Sequence, residues 1–287
     1  MRRRSLLVRA MQMAASTAVP LGTAQASPEV TQRQLRFTMQ IANPVNRTLE
    51  QQSVWWYGPM RRTGTQELLD VRVSLPHELS FDAFGQTIIA VHLPQLAPFA
   101  TRLISIAASL ALRSEPINEP IALASAWLGE ERFVETGDAS IRALANVLRR
   151  DSQRETARAI YDWVRLNVEY DRYRADDVGA REALRSRRGD CTEYAYLCTA
   201  LARVNGIRAR TVGGYVIAAD TAPRAADYHN WAQLHLLGAW RTVDAQLQRW
   251  WNDSDYVAFH AIADDASLNR LGRSHRFRAT MPLTVSM

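Results

Sequence analysis

From Gln34 to about Leu112 the chain alternates apolar and polar positions with a period of two. Leu35, Phe37, Met39 and Ile41 alternate with Arg36, Thr38 and Gln40, and Leu69, Val71, Val73 and Leu75 with Asp70, Arg72 and Ser74. Such alternation predicts half-buried strands with one face on a core. Asn43-Pro44, Gly58-Pro59, Gly64 and Pro76 supply turns between them. A run of strands with turns and no intervening helix predicts an antiparallel β-sandwich.

Ser114 to Pro120, which carries Pro116 and Pro120, reads as a linker. Beyond it the period changes. Ser152 and Glu155 form a capping-box pattern ahead of Ile160, Trp163, Val164 and Val168, which fall on one side of a helix. Asp190 and Glu193 have the same spacing at a second helix start, and Tyr194, Leu197, Cys198 and Leu201 continue as an apolar stripe up to Gly206, a C-cap residue. Further on, Ala232, Leu234 and Leu236 face one side of a strand, and His229, Trp231 and Gln233 the other. The expected fold class is therefore α+β. The expected division is an N-terminal segment at 1–26, a β-sandwich domain at 27–115 and a second, mixed helix-and-strand domain at 116–287.

The N-terminal segment follows from its own composition. Arg2, Arg3 and Arg4 form a basic region, Ala10 to Ala24 a mostly apolar one, and Ala24-Gln25-Ala26 a small-residue cleavage site. Arg3-Arg4 followed by Ser5-Leu6-Leu7 resembles a twin-arginine signal, although Arg9 interrupts the apolar run and leaves the general secretory route open. Its removal takes four Arg and no acid, so the formal charge of +6 falls to +2. No Arg stripe with interleaved aromatics marks a nucleic-acid surface. The longest later apolar run, Leu103 to Leu112, is too short to span a bilayer. An exported protein, periplasmic or secreted, without stable membrane insertion once the signal is gone, is expected.

The chemistry centres on one of only two cysteines. Cys191 follows Asp190 and falls in the first helical turn, where unpaired backbone N–H groups and the positive end of the helix dipole favour a thiolate. A thiolate so placed is a nucleophile when a base stands near it. Cys198, two turns along the same helix, cannot reach Cys191 to form a disulfide and reads as a buried thiol. His229 supplies the base and Asp244 the group that fixes its tautomer. A two-residue turn at Gly238-Ala239 would set Asp244 opposite Gln233, so pairing it with His229 calls for a bulge or another register.

The blocks "GDCTEYAYLCTALARVNGIRARTVGGY", "HNW" and "WRTVD", in that order, resemble the transglutaminase-like superfamily of papain-like cysteine enzymes, over about Arg142 to Ala245. The resemblance implies a nucleophile at Cys191, a base at His229 and a third member at Asp244. Trp231 matches the aromatic two after the His, and Gln233 stands where the family commonly has an acid; both are expected to line a substrate site. Attack of the thiolate on an amide carbonyl would give an acyl-enzyme thioester. A peptidase or amidase acting on a peptide or other amide is the leading expectation, without cofactor. An acyltransferase, or a binding module that has lost its chemistry, are the alternatives. His229 and His235 share a strand face, but no third ligand stands at metal-binding spacing, and no metal is expected. Trp250-Trp251 reads as core or edge cover rather than a groove.

Overall fold

The computed structural model describes residues 29–82, 84–118, 125–264, 270–272 and 276–287. The export segment proposed for residues 1–26 lies outside them. Six strands come first: β1 (Val30–Ala42), β2 (Leu49–Tyr57), β3 (Gln66–Val73), β4 (His77–Phe81), β5 (Thr87–Leu96) and β6 (Thr101–Arg113). Helices α1 (Ala139–Leu148) and α2 (Gln153–Asn167) follow, then β7 (Glu169–Tyr170), α3 (Gly179–Ser186), β8 (Arg188–Gly189) and α4 (Cys191–Val204). The chain continues through β9 (Ala209–Val216), β10 (Tyr228–Leu236), β11 (Ala239–Asp244), β12 (Arg249–Trp250) and β13 (Tyr256–Ile262), and ends in β14 (Phe277–Ala279) and β15 (Thr284–Ser286).

The sandwich consists of two antiparallel sheets, ordered β15-β1-β6-β3 and β14-β2-β5-β4. Leu35, Phe37, Met39 and Ile41 point into the shared core, as the alternation predicts. The second run departs from its pattern. A bulge between Leu68 and Asp70 shifts the register of β3, so Leu68, Val71 and Val73 pack inward and Leu69 is left exposed. The boundary at 115/116 also needs correction. β15 pairs with β1 and β14 with β2, so the last strands of the chain complete both sandwich sheets.

A five-stranded antiparallel sheet, ordered β12-β11-β10-β9-β13, forms the middle of the second half. One face takes α4, which is buried almost all round, as expected for a helix enclosed by α1, α2, α3 and the sheet. Ala232, Leu234 and Leu236 meet Leu197 and Leu201 there. The outer end of the sheet leans on the sandwich, since Tyr215, Ile217, Val257 and Phe259 belong to the sandwich core. The free edge of β13 is closed the same way. Met60 N–H donates to the Ala258 carbonyl at 2.8 Å, and Gln66 Oε1 accepts from Ala258 N–H at 2.8 Å. Sandwich and helical half thus share one packed boundary rather than a flexible link. Trp250 and Trp251, stacked at 5.2 Å, sit by the edge strand β12 with Arg158 over the first and Arg154 over the second.

Candidate active site

Local sequence places Cys191. Asp190 caps α4: its Oδ1 accepts from Thr192 N–H at 2.8 Å, while Asp190 N–H donates to Glu193 Oε2 at 3.1 Å, which closes the capping box. Cys191 is the first helical residue and is partly exposed; Cys198 is buried, and both are free thiols. Burial pushes the Cys198 thiol far up, so it stays protonated and inert. Gly206 takes the left-handed conformation (φ 73°) just past the helix, the C-cap role its position predicts.

His229 and Asp244 meet on the same face of the sheet. His229 Nε2 donates to Asp244 Oδ2 at 2.6 Å, with both residues buried. Cys191 lines the same cleft as His229, close enough to act on the ring. The register differs from the expected one without a bulge. Leu236 pairs with Ala239, so the turn is Leu237-Gly238, both at positive φ (54° and 81°), one residue earlier than a Gly238-Ala239 turn. Continuing that ladder sets Asp244 across from Trp231, a diagonal neighbour of His229 on one face. Burial works to lower the His229 pKa, but the hydrogen bonds and charges of Asp244 and Cys191 outweigh it and raise it from 6.5 to about 9. At neutral pH the ring is therefore an imidazolium beside the thiol group.

Three residues that sequence reading missed reinforce this arrangement. Tyr256 Oη donates to Asp244 Oδ2 at 2.8 Å, and Leu247 N–H donates to Oδ1 at 2.9 Å. Asn230 Nδ2 donates to Thr192 Oγ1 at 2.9 Å and ties β10, which carries His229, to α4, which carries Cys191. The position of Asn230, next to His229, was a signal within "HNW"; Tyr256 had none. Glu193, buried one turn into α4, has its carboxyl raised to about 7 by burial and by the nearby Asp190 charge.

The site opens into a cleft of about 810 Å³ bordered by Cys191, His229, Asn230, Tyr170, Tyr228 and Arg276. One wall is the 171–178 loop, held to α4 by Arg174 N–H on Asp190 Oδ2 (3.0 Å), Val178 N–H on Glu193 Oε1 (3.2 Å) and Tyr196 Oη on Asp177 Oδ2 (2.7 Å). Trp231 and Gln233 do not line it, contrary to expectation. Trp231 is 1% exposed among Met60, Val212, Tyr256 and Ala258, and Gln233 is buried with its Oε1 taken by Arg210 Nε at 2.9 Å. Their strand face was read correctly, but that face is closed by packing. Gly213 makes room instead: a Cβ there would run into the Tyr228 hydroxyl and Asn230 Oδ1.

Residues 142–245 match the family model described as the transglutaminase-like superfamily. No curated protein matches the chain. Among solved structures, a candidate cysteine protease from Cytophaga hutchinsonii aligns with a TM-score of 0.62 and 18% identity over 90% of each chain, a shared fold that extends across both halves. The periplasmic domain of TgpA from Pseudomonas aeruginosa, bound to ethylmercury, aligns with a TM-score of 0.37 and 17% identity over 78% of this chain and 91% of that one.

Proposed function

We propose that this chain, whose residues 142–245 form a transglutaminase-like domain, is a cysteine-dependent enzyme that hydrolyses amide bonds. The observation that carries the reading is His229, held at 2.6 Å by the buried Asp244 and lining, together with Cys191, an 810 Å³ cleft. The Cys191 thiolate attacks the amide carbonyl carbon, forming a C–S bond and an oxyanion next to the Cys191 N–H at the α4 terminus. As the oxyanion collapses the C–N bond breaks, and the His229 imidazolium gives its proton to the leaving amine. Neutral His229 then takes a proton from water, which attacks the thioester carbon. Collapse breaks the C–S bond, releases the acid and restores the thiolate and imidazolium. Asp244 stays ionised and stabilises the charged ring. We further propose that residues 1–26 direct export. Among the described residues no helix is long and apolar enough to cross a membrane.

Casein peptides incubated in water labelled with heavy oxygen test the reaction. Hydrolysis places the label in new C-terminal carboxyls, and Cys191→Ala or His229→Ala abolishes it while the fold persists. Label absent from the products, with added dansylcadaverine incorporated in its place, would establish the acyltransferase instead. An inert binding module would give neither and would alkylate Cys191 no faster than Cys198.

A further inference from the structure

We infer that Tyr256 is a positioning residue for the Cys191–His229–Asp244 unit: its hydroxyl shares one carboxylate oxygen of Asp244 with His229, fixing the carboxylate and limiting the charge it offers the imidazole. The inference rests on the catalytic reading of that unit. Asp244 is 2% exposed, and three donors from three segments hold it. Oδ2 accepts from His229 Nε2 (2.6 Å) and Tyr256 Oη (2.8 Å), and Oδ1 from Leu247 N–H (2.9 Å). Rotation of the carboxylate would break all three bonds at once.

The fold goes to some length to make this contact. β9 and β10 lie between β13 and β11 in the sheet, so Tyr256 reaches Asp244 only because the sheet curls and its inner face closes on itself. The Tyr256 ring meets Trp231 edge-on at 4.9 Å, and Trp231 in turn stacks on His229 at 6.2 Å. One aromatic column thus supports both the base and the donor that competes with it for Asp244. Burial, reinforced by the Asp244 charge, pushes the Tyr256 phenol well above the usual tyrosine range, so it donates at every working pH. The other ionisable groups facing this cluster are Cys191 and Cys198 from α4, Tyr161 from α2, and the Arg249–Asp255 pair (2.7 Å) beside Tyr256.

A carboxylate oxygen that already accepts one hydrogen bond offers less negative charge to a second donor. Without the phenol the imidazolium is bound more tightly, and it gives its proton to a leaving amine less readily. The test uses the mature chain and needs no substrate: NMR titration of the His229 ring, with the rate of Cys191 alkylation by iodoacetamide followed across pH. In Tyr256→Phe the His229 midpoint should rise by about half a unit to one unit, the effect of one hydrogen bond on a charged group, and the alkaline step of alkylation should move with it. Fluorotyrosine at position 256, a stronger donor, should move both downward, which keeps the test open if the Phe variant folds poorly. Trp127→Phe, a loss of packing in a separate buried cluster, should lower the melting temperature without moving the midpoint. Midpoints unchanged by both Tyr256 replacements, or moved as far by Trp127→Phe, overturn the inference. A wild-type His229 that titrates as an ordinary histidine would instead overturn the catalytic reading beneath it.

Discussion

Replacing Asp244 by Asn tests the charge arrangement most directly, because it keeps the shape of the side chain and removes only the anion. The carboxylate now accepts three hydrogen bonds, two on Oδ2 and one on Oδ1. An amide cannot do so, since it has one oxygen. If its NH2 faces Leu247 N–H, two donors oppose each other in a buried site; if it faces His229, the ring must present a bare Nε2 and carry its proton on Nδ1, the wrong tautomer for accepting one from Cys191. The unsatisfied contact should cost about 1–3 kcal/mol of stability. The kinetic effect is larger. Asp244 is a principal cause of the rise of His229 from 6.5 to about 9, and without it burial, which opposes that rise, prevails. Loss of the imidazolium at neutral pH should slow Cys191 alkylation on the order of 100-fold, since each pKa unit is a factor of ten in the charged form. Intact-mass kinetics with iodoacetamide from pH 5 to 10 measure this, with buried Cys198 as an internal reference. An Asp244→Asn rate profile that overlays the wild type would refute the ion-pair reasoning.

The other predictions concern packing and pH. Gly214→Ala should unfold the second half, because a Cβ there meets the Val257 backbone carbonyl, whereas Gly213→Ala should fold but lose activity, because its obstacles are the Tyr228 and Asn230 side chains; circular dichroism and turnover separate the two. Deleting residues 277–287 should lower the melting temperature of the whole protein, since β14 and β15 complete the sandwich; an unchanged melt would show these strands to be dispensable. His229, raised in the folded state, stabilises the fold below about pH 6.5 and loses that contribution as the pH passes about 9, so His229→Gln should flatten the thermal-stability profile across that window. Glu193, raised from 4.5 to about 7, should give a second decline between those values, and Glu193→Gln should remove it.

How far the site could be read from the sequence depended on how local its determinants are. Cys191 was legible because a capping box is written in four consecutive residues, and the helix starts where that box says. The partnership of His229 and Asp244 was legible in kind but not in register. Nothing in a leucine announces the left-handed conformation that Leu237 adopts, so the turn falls one residue earlier than the glycine suggests. That single step moves Asp244 from beside Gln233 to beside Trp231, and so within reach of His229. Trp231 and Gln233 were placed on the correct face, yet whether a face is open or covered depends on distant residues such as Met60 and Arg210. Three-residue strands like β14 and β15 are too short to carry a period.

The same reasoning explains why the sandwich matters to the chemistry. β13 alternates between two cores: Val257 and Phe259 point into the sandwich, while Tyr256 and Ala258 point into the concave face that holds Trp231. Its edge is pinned by Met60 and Gln66, and the carboxylate that orients the base is pinned in turn by Tyr256. A shift of the sandwich would therefore reach Asp244 through one strand and one hydroxyl, in a packed interior that transmits strain rather than absorbing it. The two halves of the chain are mechanically one unit at Asp244, although Cys191, His229 and Asp244 all belong to the second.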